Sequence, residues 1–230
     1  VSGLLPRTPE LLITIFAVWR IGAVYQPLFT AFGPKAIEHR VKLAASKLVV
    51  TDLGNRSKLD EVEDCPPIVT VADQQGHAVQ QGDYDFWHEL NQQPDQCDTV
   101  FLTLKDPFLL MFTSGTTGPA KPLEVPLKAM IAFGRYMIDA VGLRDEDSFW
   151  NIADPGWAYG LYYAITGPLF IGHATLFYEG AFSIESLCQI VKEYQVTNLA
   201  GAPTAYRMMM AADPTQMAKL KGQFRVVSSA

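Results

Sequence analysis

Phe112-Thr113-Ser114-Gly115-Thr116-Thr117-Gly118-Pro119-Ala120-Lys121 ends an apolar run that starts at Phe108 and gathers hydroxyls, glycines and one cation into a single turn. Each residue type has a physical use there. Glycines let backbone N–H groups approach an anion closely, hydroxyls donate to phosphoryl oxygens, and a lysine neutralises charge that builds on a departing pyrophosphate. The spacing of Gly115, Gly118 and Lys121 does not fit G-x-x-x-x-G-K-[ST], and it is not a dinucleotide-binding fingerprint either. An ordinary Ser/Thr/Gly surface loop is the plain alternative. The coincidence of strand, hydroxyl cluster and lysine favours a phosphate-binding loop made by Thr113, Ser114, Gly115, Thr116, Thr117, Gly118 and Lys121, with Lys121 also acting in catalysis.

Outward from this loop the chain alternates between apolar runs and helical patterns. Upstream, Thr8-Pro9-Glu10 reads as an N-cap, a proline at the first helical position and an acid in the first turn of a long apolar helix that closes near Gly22. A second helix opens at Pro34 and runs to about Ala45, and the runs 1–5, 23–27 and 47–51 read as strands around these helices. Residues 73–98 are polar and glutamine-rich, a surface excursion with one amphipathic turn at Phe86, Trp87 and Leu90. Downstream, helices are expected at 128–141, at 160–172 with a Gly-Pro break, at 184–194 capped by Ser183, and at 204–211. Strands are expected at 149–153, 174–178, 196–200 and 224–228. This rhythm predicts parallel strands with crossover helices, in two mostly parallel-sheet α/β lobes. The first is expected over 1–128, ending in the phosphate loop, and the second, incomplete, over 129–230, with a ligand cleft between them. Both termini fall on strand patterns and look cut, so exposed sheet edges are expected to favour self-association.

The 230 residues are 49% hydrophobic and 18% charged, enough apolar content for real cores, with a formal net charge of -6. No cluster of Lys and Arg offers a nucleic-acid or anionic-membrane surface. The most apolar segment, 11–19, is interrupted by Arg20 and is too short for the roughly 20 residues of a membrane span. Three separated cysteines, Cys65, Cys97 and Cys188, give neither a disulfide framework nor a CxxC site, which fits a reducing cytoplasm. His39, His77, His88 and His173 have no metal-ligand spacing and form no triad with a nucleophile, so no metal site is expected. The run Met208-Met209-Met210 reads as helix packing.

Thr-Ser-Gly-Thr-Thr-Gly followed by a lysine resembles the signature of the AMP-binding, or adenylate-forming, superfamily, which includes acetyl-CoA and medium-chain acyl-CoA synthetases, luciferases and peptide-synthetase adenylation domains. Further segments match in order: Leu4 to Glu10, Gly22 to Leu28, Ala153-Asp154-Pro155-Gly156-Trp157 and Ala202-Pro203-Thr204-Ala205-Tyr206-Arg207. The likeness runs over essentially the whole chain and implies the fold of that family's N-terminal domain. One departure is Ala120-Lys121-Pro122, where the family usually has Pro-Lys-Gly. Pro122 removes a backbone donor and fixes φ, so a stiffer loop end is expected.

The resemblance implies an acid-CoA ligase that attaches a short- or medium-chain carboxylate to AMP and passes the acyl group to coenzyme A, using ATP, Mg2+ and coenzyme A as substrates. It implies an acyl pocket at Trp157 and Gly160 and coenzyme A contacts at Tyr159 and Ser183. The plain alternative for Trp157 is a core tryptophan, and Thr204 reads equally as an ordinary first-turn residue. The family's adenine, ribose and magnesium segments and its C-terminal domain have no counterpart in these 230 residues, so the chain alone is expected to be inactive. Two alternatives stand beside this reading, an adenylation domain that serves a carrier protein and a noncatalytic nucleotide-binding module.

Overall fold

The computed structural model describes residues 1–73, 77–113 and 119–229, which form two compact units, Val1–Lys128 and Ala129–Ala230. In the first unit the chain runs β1 (Ser2–Leu4), α1 (Pro9–Arg20), β2 (Gln26–Pro27), α2 (Pro34–Leu43), β3 (Val49–Asp52), α3 (Leu53–Arg56), β4 (Ile68–Val71), β5 (Tyr84–Asp85) and α4 (Phe86–Asn91). The five strands form one parallel sheet in the order β2-β1-β3-β4-β5. Helix starts follow the local chemistry. Pro9 and Pro34 occupy first-turn positions where their missing N–H costs nothing, and the Asp52 and Asp85 side chains accept the N–H groups of Asn55 and His88.

Leu4, Leu28, Ile37, Val41, Val49 and Ile68 build the core on one side of this sheet. A fully buried side chain of that kind contributes about 1.5–3 kcal/mol. Gly3 is required by close approach, because a Cβ there would meet the Tyr25 hydroxyl at 2.3 Å.

The polar excursion expected at 73–98 is more than surface loop. It adds β5 to the sheet edge and α4 behind it, and Asp83 anchors both. Arg56 grips the Asp83 carboxylate with two bonds of 2.5 and 3.0 Å and reaches Asp60 at 2.7 Å, while Thr70 donates to Asp83 at 2.6 Å. Burial alone would raise the Asp83 pKa, but the Arg56 and Thr70 bonds outweigh it and hold it below the usual carboxylate value.

The unit ends in a hairpin of β6 (Pro107–Thr113) and β7 (Lys121–Pro126), antiparallel where the rest is parallel. Tyr25 forms a parallel bridge to Leu109, which lays β6 beside the segment leading into β2.

In the second unit the chain runs α5 (Ala129–Asp139), β8 (Phe149–Asn151), α6 (Ala158–Gly160), a π-helical stretch (Leu161–Thr166), α7 (Gly167–Phe170), α8 (Ile184–Glu193), β9 (Asn198–Gly201), α9 (Pro203–Ala211), α10 (Pro214–Ala218) and β10 (Val226–Ser229). Its sheet is parallel, in the order β10-β9-β8. The expected helix over 160–172 is thus three pieces in different windings. Two stacked ring pairs, Phe133 on Tyr162 at 4.2 Å and Tyr136 on Tyr163 at 4.1 Å, hold the π-helical part against α5. The strand expected at 174–178 is reduced to a single bridge, Leu176 to Trp150.

Asp147 ties the sheet together from below β8. Its carboxylate takes Arg225 Nε at 2.9 Å, a second bond from Arg225 Nη2, Thr197 Oγ1 at 2.8 Å and the Arg144 N–H at 3.0 Å.

Candidate functional site

In the first unit, Thr113 closes β6 and Lys121 opens β7, and the ladder sets these two residues opposite each other. The Thr113 hydroxyl lies 3.5 Å from the Lys121 carbonyl oxygen, and both side chains are exposed. Ser114, Gly115, Thr116, Thr117 and Gly118, which complete the expected phosphate loop, lie outside the described residues. The hairpin therefore fixes the two stems of the loop, one bearing a hydroxyl and the other a cation.

Pro122 faces Phe112 and has no N–H to give to the ladder. A side chain holds the chain one step earlier, where His39 Nε2 on α2 lies 2.9 Å from the Ala120 carbonyl oxygen. Beside it the Arg40 guanidinium stacks between Phe32, at 4.1 Å, and Phe112, at 5.5 Å.

In the second unit, Asp154 to Gly160 form a tight turn from the end of β8 into α6. Asp154 Oδ1 accepts the Gly156 N–H at 2.7 Å, and the Asp154 carbonyl accepts the Trp157 N–H at 3.1 Å. Asn151, buried at the end of β8, holds both sides of the turn, accepting the Ala153 N–H at 2.9 Å and donating to the Tyr159 carbonyl at 3.4 Å. A Cβ on Gly160 would sit 2.1 Å from the Asp154 carbonyl oxygen, so only glycine lets the turn close on itself.

Trp157 begins α6 and is 42% exposed, so packing within the core does not account for it. Tyr159 differs, since its hydroxyl is buried and lacks a hydrogen-bond partner among the described residues. Burial raises its pKa, and the nearby Ser228 hydroxyl pulls the other way. Ser183 heads α8, where its hydroxyl accepts the Ser186 N–H at 3.0 Å and the Ser186 hydroxyl reaches back in a capping box. Thr204 is an exposed first-turn residue of α9. In the methionine run, Met209 packs on the core of this unit while Met208 and Met210 are exposed.

Two residues with clear roles around these motifs carried no sequence signal. Asn151 reads as one polar residue in an apolar strand, and His39 as one polar residue on a helix; each acquires a partner only through tertiary structure.

Parallel α/β units that carry, in order, a hydroxyl- and glycine-rich hairpin loop, an Asp-Pro-Gly-Trp turn and an Ala-Pro-Thr helix start define the adenylate-forming class. The chain belongs to the AMP-binding enzyme family, whose sequence model matches residues 1–230. Acetyl-coenzyme A synthetases of Bacillus subtilis (strain 168) and Methanothrix thermoacetophila are 33% identical over 220 residues and 35% identical over 231 residues. These alignments take in 94% and 92% of this chain but 38% and 35% of the relatives, so the chain spans little more than a third of their length. A crystal structure of an acyl-CoA synthetase from Brucella canis superposes with a TM-score of 0.95 at 55% identity, over 99% of this chain and 42% of that one. An anthranilate CoA ligase in complex with anthranoyl-AMP, 18% identical, shares the fold with a TM-score of 0.87 over 99% of this chain and 45% of its own.

Proposed function

We propose that the chain is the part of an ATP-dependent acyl-CoA synthetase that cradles the ATP phosphates and walls the acyl group. The enzyme joins a short- or medium-chain carboxylate to AMP and then passes the acyl group to coenzyme A. In the first step a carboxylate oxygen attacks the α-phosphorus, the bond from that phosphorus to the bridging oxygen breaks, and pyrophosphate leaves with the electron pair. In the second the coenzyme A thiol displaces AMP and gives up its proton. The chain's own contribution lies in binding and charge. Thr113, Ser114, Gly115, Thr116, Thr117 and Gly118 donate to phosphoryl oxygens, and Lys121 offsets the charge that grows on pyrophosphate. Trp157 and Gly160 bound the acyl pocket. Tyr159 contributes to the pantetheine path, and Ser183 is a further coenzyme A contact.

Magnesium enters this reading bound to the ATP phosphates. Among the described residues no helix is long and apolar enough to cross a membrane. A cytoplasmic setting, where ATP and coenzyme A are at hand, completes the proposal.

The observation that carries it is the pairing of Thr113 with Lys121 at the stems of the hydroxyl and glycine loop, in a chain of the AMP-binding family. The test is ATP–pyrophosphate exchange by the full-length protein with acetate, butyrate and hexanoate. Lys121→Ala is expected to slow exchange by about 10²–10³-fold, the scale for losing one charge-stabilising donor. An unchanged rate removes Lys121 from the mechanism, and a full-length protein that exchanges pyrophosphate with none of these acids refutes the reading.

A further inference from the structure

We propose that His39 is a positioning residue for Lys121, acting through the Ala120 carbonyl. The inference rests on the phosphate-loop reading above and extends it to a side chain outside the loop. His39 Nε2 lies 2.9 Å from the Ala120 carbonyl oxygen, across a sequence separation of 81 residues. A carbonyl oxygen only accepts, so Nε2 carries the hydrogen and donates, leaving Nδ1 free of this contact. His39 is half-buried on α2, and its ring meets the Phe112 ring edge-on at 6.4 Å, so packing as well as the hydrogen bond fixes its direction.

The need for such a bond follows from the exit sequence Pro119-Ala120-Lys121-Pro122. Two of its four residues have no N–H, and Pro122 faces Phe112 at a non-hydrogen-bonded pair of the ladder, where its ring is tolerated. Lys121 pairs with Thr113 at the first rung of β7, and the Thr113 hydroxyl lies 3.5 Å from the Lys121 carbonyl oxygen. Ala120 lies one residue before the ladder begins, so His39 restrains from α2 the peptide that leads into Lys121. Holding the Ala120 carbonyl fixes the plane of the Ala120–Lys121 peptide, and with it the direction in which the lysine leaves the backbone.

Two substitutions separate this role from general packing. In His39→Gln the side-chain amide nitrogen falls near the place of Nε2 and can still donate to Ala120. In His39→Asn the shorter side chain mimics only Nδ1 and loses the bond. Losing one hydrogen bond to a carbonyl corresponds to about a three- to tenfold change in an equilibrium. In the full-length protein, His39→Asn is expected to raise KM for ATP in pyrophosphate exchange by that factor, and His39→Gln to restore most of it. Hydrogen exchange of the Lys121 and Leu123 amides is expected to speed up in the Asn variant and recover in the Gln variant, with both variants melting within a few degrees of wild type. Asn and Gln variants that behave alike, or an Asn variant with wild-type KM and amide exchange, overturn the inference while leaving Lys121 in place. A wild-type protein that fails to exchange pyrophosphate at all refutes the functional reading, and the positioning role with it.

Discussion

Gly160→Ala is the substitution whose sign the structure decides against local propensity. Gly160 has a helical φ of -68°, and on propensity alone alanine would stabilise such a position by about 0.5–1 kcal/mol. The added carbon would however lie 2.1 Å from the Asp154 carbonyl oxygen, 2.3 Å from its carbon and 2.8 Å from the Pro155 nitrogen. All three are backbone atoms of a turn that Asn151 holds from both sides, so no flexible side chain can swing away. Relief needs the turn to move by about 1 Å, and overpacking of that kind costs about 1–3 kcal/mol or more. Offset by the propensity gain, a net loss of about 1–2 kcal/mol follows. For a unit of about 100 residues that is a fall in Tm of about 4–16 °C. Thermal melts followed by near-ultraviolet circular dichroism would read it. Gly33→Ala is the control, since its added carbon meets nothing within 4 Å and φ is -81°; it should change stability by less than about 1 kcal/mol. A Gly160→Ala protein that melts at or above wild type refutes the reasoning, because the turn would then be looser than its hydrogen bonds imply.

Asp147→Asn tests the ion pair under the second sheet. Burial raises the pKa of this carboxyl, but bonds from Arg225, Thr197, the Arg144 N–H and Asn198 outweigh that and leave it far below the ordinary value. A depressed folded-state pKa means the stabilisation is present in full above the unfolded value of about 3.9 and is lost as pH falls through the folded one. The Tm gap between wild type and Asp147→Asn should therefore be wide at neutral pH and narrow steadily as pH falls below about 3.9, and a gap independent of pH would refute this assignment. Ser183→Ala removes the capping-box acceptor and should destabilise α8 by about 1 kcal/mol, visible as faster amide exchange at Ser186. Unchanged exchange there would mean that water replaces the cap without loss.

Much of the architecture could be read from local chemistry because local chemistry determines it. Pro9, Pro34 and Ser183 start helices wherever they occur, and the apolar runs around Leu4, Val49 and Leu199 can only be buried strands. β7 was not legible. Lys121-Pro122-Leu123-Glu124-Val125-Pro126 has two prolines and mostly exposed side chains, and becomes a strand only because β6 offers it a partner across the loop. β4 follows two prolines and β5 is two residues long, too little for a period to register. The run at 174–178 erred the other way, for its apolar residues pack beside β8 without entering a ladder. Of the site, the loop and the Asp-Pro-Gly-Trp turn stand out as contiguous motifs. The groups that hold them, His39 and Asn151, bind across the fold and leave no trace in spacing.

The strand order of the first sheet also sets a timetable for folding. β1 is flanked by β2 and β3, so its second neighbour is not available until Val49–Asp52 has been made. At about 5–20 residues per second of synthesis, β1 waits for seconds with one side unpaired. The β6–β7 hairpin closes over a short loop and can form in microseconds once made. Within this unit synthesis thus exposes a half-built parallel sheet first and completes the β6–β7 hairpin last, so the early stretch Ser2–Leu4 is where a chaperone would be most useful.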